Sequence, residues 1–134
     1  MNRILVIDDE PIICDLIWEA LTRFGYTVEV APTGRQGLQR LQEVSFDLVV
    51  TDMYMPDLDG AFIIRHIRSS SRPFTPVIGI SGTPWLLEDV ACDAVLPKPF
   101  PLQALVDTVK RLEKISLSAA PGHTPCPLNA PPVL

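Results

Sequence analysis

The sequence predicts an α/β domain in which a parallel sheet is covered by helices on both faces. Five short apolar runs alternate with amphipathic stretches along the chain, the pattern of repeated strand-helix units. The first, third and fourth runs are almost continuously apolar, as strands buried on both faces must be. Size agrees, because 134 residues, 47% of them apolar and 20% charged, suffice for one core of ordinary dimensions.

Taken in order, Ile4 to Ile7 is the first strand. Ile12, Ile13, Leu16, Ile17, Ala20, Leu21 and Phe24 then recur at helical spacing, and Gly25 supplies a stop. Thr27-Val28-Glu29-Val30 alternates apolar with polar, which places the second strand near an edge of the sheet. Thr33 is a suitable N-cap for a second helix whose apolar stripe is thin, only Leu38 and Leu41 with Val44. A third strand over Phe46 to Val50 leads to a third helix from about Ala61 to Arg68, with Phe62, Ile63, Ile64 and Ile67 apolar. After a fourth strand, Pro76 to Ile80, Thr83 and Pro84 give both start signals of a fourth helix, which is shortened because it reaches only about Ala91. Ala94 to Leu96 form the fifth strand, and Leu102, Leu105, Val106, Val109 and Leu112 mark the last helix. From Ala119 onward there are five prolines and no Asp, Glu, Lys or Arg. The expected division is therefore one domain over residues 1–116 and a Pro-rich C-terminal tail over 117–134, disordered by composition or, alternatively, partner-binding.

Charge and cysteine content narrow the function classes. Eleven Lys and Arg against 16 Asp and Glu give a net charge of -5, which argues against a nucleic-acid or anionic-membrane partner. Cys14, Cys92 and Cys126 are odd in number and far apart, as suits reduced thiols in a cytoplasmic protein, and no apolar stretch is expected to target or span a membrane. Cys14 is expected in the core of the first helix.

Ligands of an open parallel sheet bind beyond the carboxyl ends of its strands. There the chain places Asp8, Asp9 and Glu10 after the first strand, Asp52 after the third, Ser81 and Gly82 after the fourth and Lys98 after the fifth. Carboxylates so close together repel and raise one another's pKa unless a cation lies among them, and hard oxygen donors favour Mg²⁺. A carboxylate flanked by that ion and by Lys98 can attack phosphorus, since both cations offset charge on the transferring group; Asp52 is the central candidate. Ser81 can donate its hydroxyl to an acyl-phosphate oxygen, with Gly82 leaving room. Asp57, Asp59 and Gly60 lack the remaining ligands of a calcium loop and are expected to form a turn and the start of the third helix. His66 is expected to be a solvated side chain.

These residues resemble the receiver domain of two-component response regulators. Ile4-Leu5-Val6-Ile7-Asp8-Asp9-Glu10-Pro11 resembles its opening strand and acidic pair, and Thr51-Asp52-Met53-Tyr54-Met55-Pro56-Asp57-Leu58-Asp59-Gly60 its phosphorylation segment. Ile80-Ser81-Gly82 and Leu96-Pro97-Lys98-Pro99-Phe100 are similar to its hydroxyl step and Lys-Pro corner, and the resemblance covers about residues 2–115. It implies a flavodoxin-like doubly wound sheet of order 2-1-3-4-5 with five helices. It further implies Asp52 as phosphoacceptor, Asp8, Asp9 and Asp52 with the Tyr54 carbonyl as Mg²⁺ ligands, Ser81 as switch hydroxyl, Lys98 as phosphate contact, and a cis Lys98–Pro99 bond. The implied partners are a sensor histidine kinase or histidine phosphotransfer protein and a downstream protein target.

Three departures stand out. Val95 occupies a position that is often aromatic in the family; the interval from Ser81 to Lys98 is short; and Phe100-Pro101 replaces a polar cap before the last helix. Trp85, Leu86 and Leu87, on the shortened helix, are expected to form either a partner surface or a compact core contact. The function expected is that of a stand-alone receiver in a phosphorelay, catalysing its own phosphorylation and slow dephosphorylation. The alternatives are a phosphorylation-independent interaction module and a phosphate sink or relay intermediate. Tyr54, where a phosphohydrolase of similar topology would need a second Asp, disfavours that enzyme class.

Overall fold

The computed structural model describes residues 2–83 and 91–118. In chain order they form β1 (Arg3–Ile7), α1 (Pro11–Arg23), β2 (Thr27–Ala31), α2 (Gly34–Glu43), β3 (Leu48–Asp52), α3 (Gly60–Arg68), β4 (Val77–Ser81), β5 (Ala94–Pro97) and α4 (Leu102–Ser118). The five strands are all parallel, in the order β2-β1-β3-β4-β5. That is the predicted doubly wound order, with the alternating strand β2 at an edge as expected. Of the five predicted helices, four lie among the described residues. The fourth, with Trp85, Leu86 and Leu87, falls on residues 84–90, outside them. Residues 119–134, most of the expected tail, lie outside them as well.

Alternation along the strands divides the interior into two layers. Ile4 and Val6 of β1 point to the face covered by α1 and α4, where they join Ile17, Leu21, Val50, Ile78, Leu105 and Val109. Leu5 and Ile7 point to the other face, with Val49, Met53, Ile63, Ile64 and Ile67 under α2 and α3. Helix α1 buries Cys14, Ile17 and Leu21, one line at helical spacing. Ile12, Leu16 and Phe24, expected on that line, are exposed by 73%, 42% and 49%, because the apolar stripe is wider than the face in contact. The helix ends in a Schellman arrangement: Gly25, at φ 91°, donates to the Thr22 carbonyl and Tyr26 to that of Leu21. Helix α2 packs through glycine, where a Cβ on Gly37 would fall 2.5 Å from Ile7 Cδ1, so its thin stripe is sufficient.

Two strand boundaries shift, with consequences for the site. β3 starts at Leu48 and runs to Asp52, which pairs with Ile80; Phe46 is buried in the core but precedes the ladder. β4 likewise begins after Pro76, which has no N–H to give, and ends at Ser81. Asp52 and Ser81 are therefore the final residues of their strands rather than the first residues of loops. Phe62, counted on the apolar face of α3, is 43% exposed.

Candidate functional site

Four of the five strands, β1, β3, β4 and β5, each deliver one component to the same end of the sheet. β1 ends at Ile7, and Asp8 follows with its backbone N–H donating to Ala31 of β2 at 3.2 Å. Pro11 then opens α1, so the chain turns within the three residues Asp8, Asp9 and Glu10. β3 ends in Asp52, whose Oδ1 accepts the Tyr54 N–H at 3.2 Å while its backbone carbonyl accepts the Thr51 hydroxyl at 2.9 Å. Beyond β5, the Lys98 N–H donates to the Ser81 carbonyl at 2.8 Å, tying the lysine to the end of β4, and the Lys98–Pro99 bond is cis as expected.

The side chains converge. Lys98 Nζ lies 2.6 Å from Glu10 Oε1, 3.3 Å from Asp52 Oδ2 and 3.7 Å from Asp8 Oδ2. Carboxylate oxygens of Asp8, Asp9, Glu10 and Asp52 all lie within 4.8 Å of one another. Asp8 is fully buried and Asp52 is 5% exposed, whereas Asp9 and Glu10 face solvent. Burial pushes the Asp8 carboxyl up to about 6, against the Glu10 N–H that its Oδ1 accepts at 2.9 Å and with help from the Asp52 charge. Burial also raises Asp52, in spite of the Tyr54 N–H and the Lys98 ammonium. Lys98 is opposed by burial but is pushed up to about 12 by its bond to Glu10 and by the Asp8 and Asp52 charges. One ammonium thus faces more negative charge than it can neutralise.

The donor set fits a hard divalent cation. Asp8 Oδ2 is, among the described residues, a buried oxygen with no hydrogen-bond partner, and its neighbours are further carboxylate oxygens and the Lys98 ammonium at 3.7 Å. Buried carboxylates held at raised pKa are what such an ion would relieve, and all-oxygen coordination suits Mg²⁺. A cavity of about 360 Å³, lined by Asn2, Ile4, Tyr26, Phe74, Val109 and Glu113 among others, lies at the opposite ends of the strands.

Of the residues predicted from sequence, Asp8, Asp9, Asp52 and Lys98 are brought together. Tyr54 stands beside them: its backbone N–H binds Asp52, and its side chain is 52% exposed at the rim. Ser81 is adjacent but turned to its own loop, its Oγ accepting the Thr83 N–H at 2.9 Å. Among the described residues, nothing lies within 4 Å of a Cβ placed on Gly82. The calcium-loop resemblance dissolves: Asp59 caps α3 by accepting the Phe62 N–H at 2.9 Å, and Asp57 caps α2 by accepting from Gly34 and Arg35 at 3.1 and 2.9 Å. His66 is half-buried on α3, apart from the acidic cluster. Sequence reasoning placed Glu10 at the edge without a role; its signal was its place directly after two aspartates at a strand end.

Comparison with known proteins agrees with this fold. A sequence model of the family described as the response regulator receiver domain matches residues 4–110. The transcriptional regulatory protein TrcR of Mycobacterium tuberculosis is 33% identical over 115 residues, covering 82% of this chain and 44% of that protein. The response regulator MprA of Mycolicibacterium vanbaalenii is 35% identical over 115 residues, covering 82% and 49%. The chain thus spans just under half the length of these relatives. Among solved structures, the response regulator TrrA of Thermotoga maritima, determined in complex with Mg²⁺ and BeF, superposes with a TM-score of 0.76 at 32% identity, covering 84% of this chain and 99% of that one. The chemotaxis response regulator CheY4 of Vibrio cholerae gives 0.77 at 29% identity, covering 84% and 98%.

Proposed function

The chain belongs to the response regulator receiver domain family, and from that membership we propose that it takes a phosphoryl group onto Asp52 from a phosphohistidine of a kinase or phosphotransfer protein. The observation that carries the proposal is the position of Asp52 at the end of β3, with Lys98 Nζ 3.3 Å away and Asp8 and Asp9 beside it. An Asp52 oxygen attacks phosphorus, the new P–O bond forms as the P–N bond breaks, and the electron pair returns to the imidazole nitrogen. Lys98 offsets charge on a non-bridging oxygen of the group in transfer. Asp8 and Asp9, with Asp52 and the Tyr54 carbonyl, would hold Mg²⁺, which when bound supplies further neutralisation of the phosphoryl oxygens.

After transfer, the new dianion at the sheet edge offers the Ser81 hydroxyl stronger acceptors than Thr83 Oγ1, which lies 3.4 Å from it. The Ser81 hydroxyl turns from Thr83 Oγ1 to donate to the phosphoryl group, and Gly82 and Thr83 follow. Val95 of β5 is 36% exposed where many receivers carry an aromatic ring, so the signal in this chain runs through Ser81 and Thr83 rather than through a rotating ring. Partners are proteins on this view, in keeping with the net charge of -5. A cytoplasmic setting belongs to the same proposal and rests on the free thiols Cys14 and Cys92. Among the described residues no helix is long and apolar enough to cross a membrane.

The test is intact mass after incubation with Mg²⁺ and acetyl phosphate. One phosphoryl adduct is expected on the wild type, none on Asp52→Asn, and none when a chelator is present. A well-folded wild type that takes no adduct would refute the proposal.

A further inference from the structure

Resting on that function, we propose that Glu10 is a positioning residue: it is the counter-ion that competes with a phosphoryl group on Asp52 for the Lys98 ammonium. The shortest contact of Lys98 Nζ is not with either buried carboxylate but with Glu10, at 2.6 Å against 3.3 Å to Asp52 and 3.7 Å to Asp8. The Glu10 side chain is 57% exposed, those of Asp52 and Asp8 6% and 0%, so the ammonium is drawn toward the solvent side of the cluster. The backbone of Lys98 is fixed by its bond to the Ser81 carbonyl, which leaves the side-chain torsions to decide where Nζ rests.

Glu10 has no competing task in its own helix. It occupies the N-cap of α1 in extended conformation and makes no side-chain capping bond. Glutamate is not among the favoured N-cap residues, and Ser, Thr, Asp or Asn would serve the helix better there. What the longer side chain gains is reach, across 88 positions of sequence, to Lys98. The pair therefore makes an equilibrium: Lys98 parked on Glu10, or Lys98 on the oxygens that arrive at Asp52. A part-exposed ion pair of the usual strength biases such an equilibrium on the order of threefold to fivefold.

The experiment uses the full chain with saturating Mg²⁺, verified for each variant by its own titration, and fluoroberyllate as the phosphoryl mimic. Dissociation constants are read from amide chemical shifts for wild type, Glu10→Gln, Lys98→Met and the double variant. Glu10→Gln, which keeps the shape and removes the charge, is expected to bind about threefold to fivefold tighter, and to make no difference once Lys98 is methionine. Glu10→Asp, charged but one methylene short, should fall between wild type and Glu10→Gln. Equal tightening in both backgrounds would show a general charge effect and overturn the proposal. Weaker or unchanged binding by Glu10→Gln would overturn it too, the former by making Glu10 a support for the bound state. The Lys98 side-chain ammonium resonance, measured without metal, is expected to shift in Glu10→Gln; if it does not, the pairing itself is refuted. A wild type that binds no fluoroberyllate instead counts against the proposed function, and the Lys98 resonance still reports on the pairing.

Discussion

Asp8 has no exposed surface, and burial pushes its carboxyl up to about 6 from a model-peptide value of 3.8. Between those two values the folded chain binds more protons than the unfolded one, so without a cation stability falls as pH rises from about 4 to about 6 and stays lowered above. Asp52 is raised for the same reason and acts in the same direction. Urea midpoints measured across this range in chelator should decline with pH, and Asp8→Asn should flatten the decline and raise the plateau near neutrality. The sequence made Asp8, Asp9, Asp52 and Lys98 legible, because topology alone assigns strand ends to one edge. It did not disclose the role of Glu10. A side chain's reach across the site depends on backbone direction after the strand, and the three residues between β1 and α1 have no periodic pattern from which to read it.

Among the elements, the C-terminus of α3 is heavily braced. The Arg68 guanidinium donates to the carbonyls of Pro73, Thr75 and Ala91 at 2.8, 2.7 and 2.8 Å and to the Asp93 carboxylate at 2.9 Å. Asp93 in turn accepts the first N–H of β4, that of Val77, at 2.8 Å. One side chain thus fastens the loop before β4 and the approach to β5. Arg68→Ala leaves several carbonyls and a carboxylate short of a partner and should lower stability by about 2 to 3 kcal/mol in urea titration; Arg68→Lys, a point charge without the planar fork, should restore only part of it. Nothing in the sequence marks Arg68, since carbonyl acceptors have no residue identity. The capping of α2 by Asp57 was hidden in the same way: the helix start at Thr33 could be read locally, but a second cap supplied from more than 20 residues away could not. Strand and helix identity, by contrast, followed from periodicity, and the two shifted strand ends moved by only a residue or two.

At the scale of the molecule, among the described residues the layer under α1 with α4 and the layer under α2 with α3 lie on opposite faces of the sheet, and the carboxylate cluster sits where the strands of that sheet end. A cation that binds the folded cluster and not the open chain must stabilise the whole domain by mass action: Mg²⁺ at 100 times its dissociation constant should add about 2.7 kcal/mol. Calorimetry at increasing Mg²⁺ should show a rising melting temperature for wild type and a much smaller rise for Asp52→Asn. The rims of the sheet have a different consequence. On β2, Glu29 is clamped by Arg40 of α2, which places a charged pair along one margin. On the other margin β5 has only four residues and ends in Pro97, which has no amide hydrogen to offer. Both margins are thus blunted against a neighbouring molecule extending the ladder, a guard against fibrillar stacking when the protein is crowded.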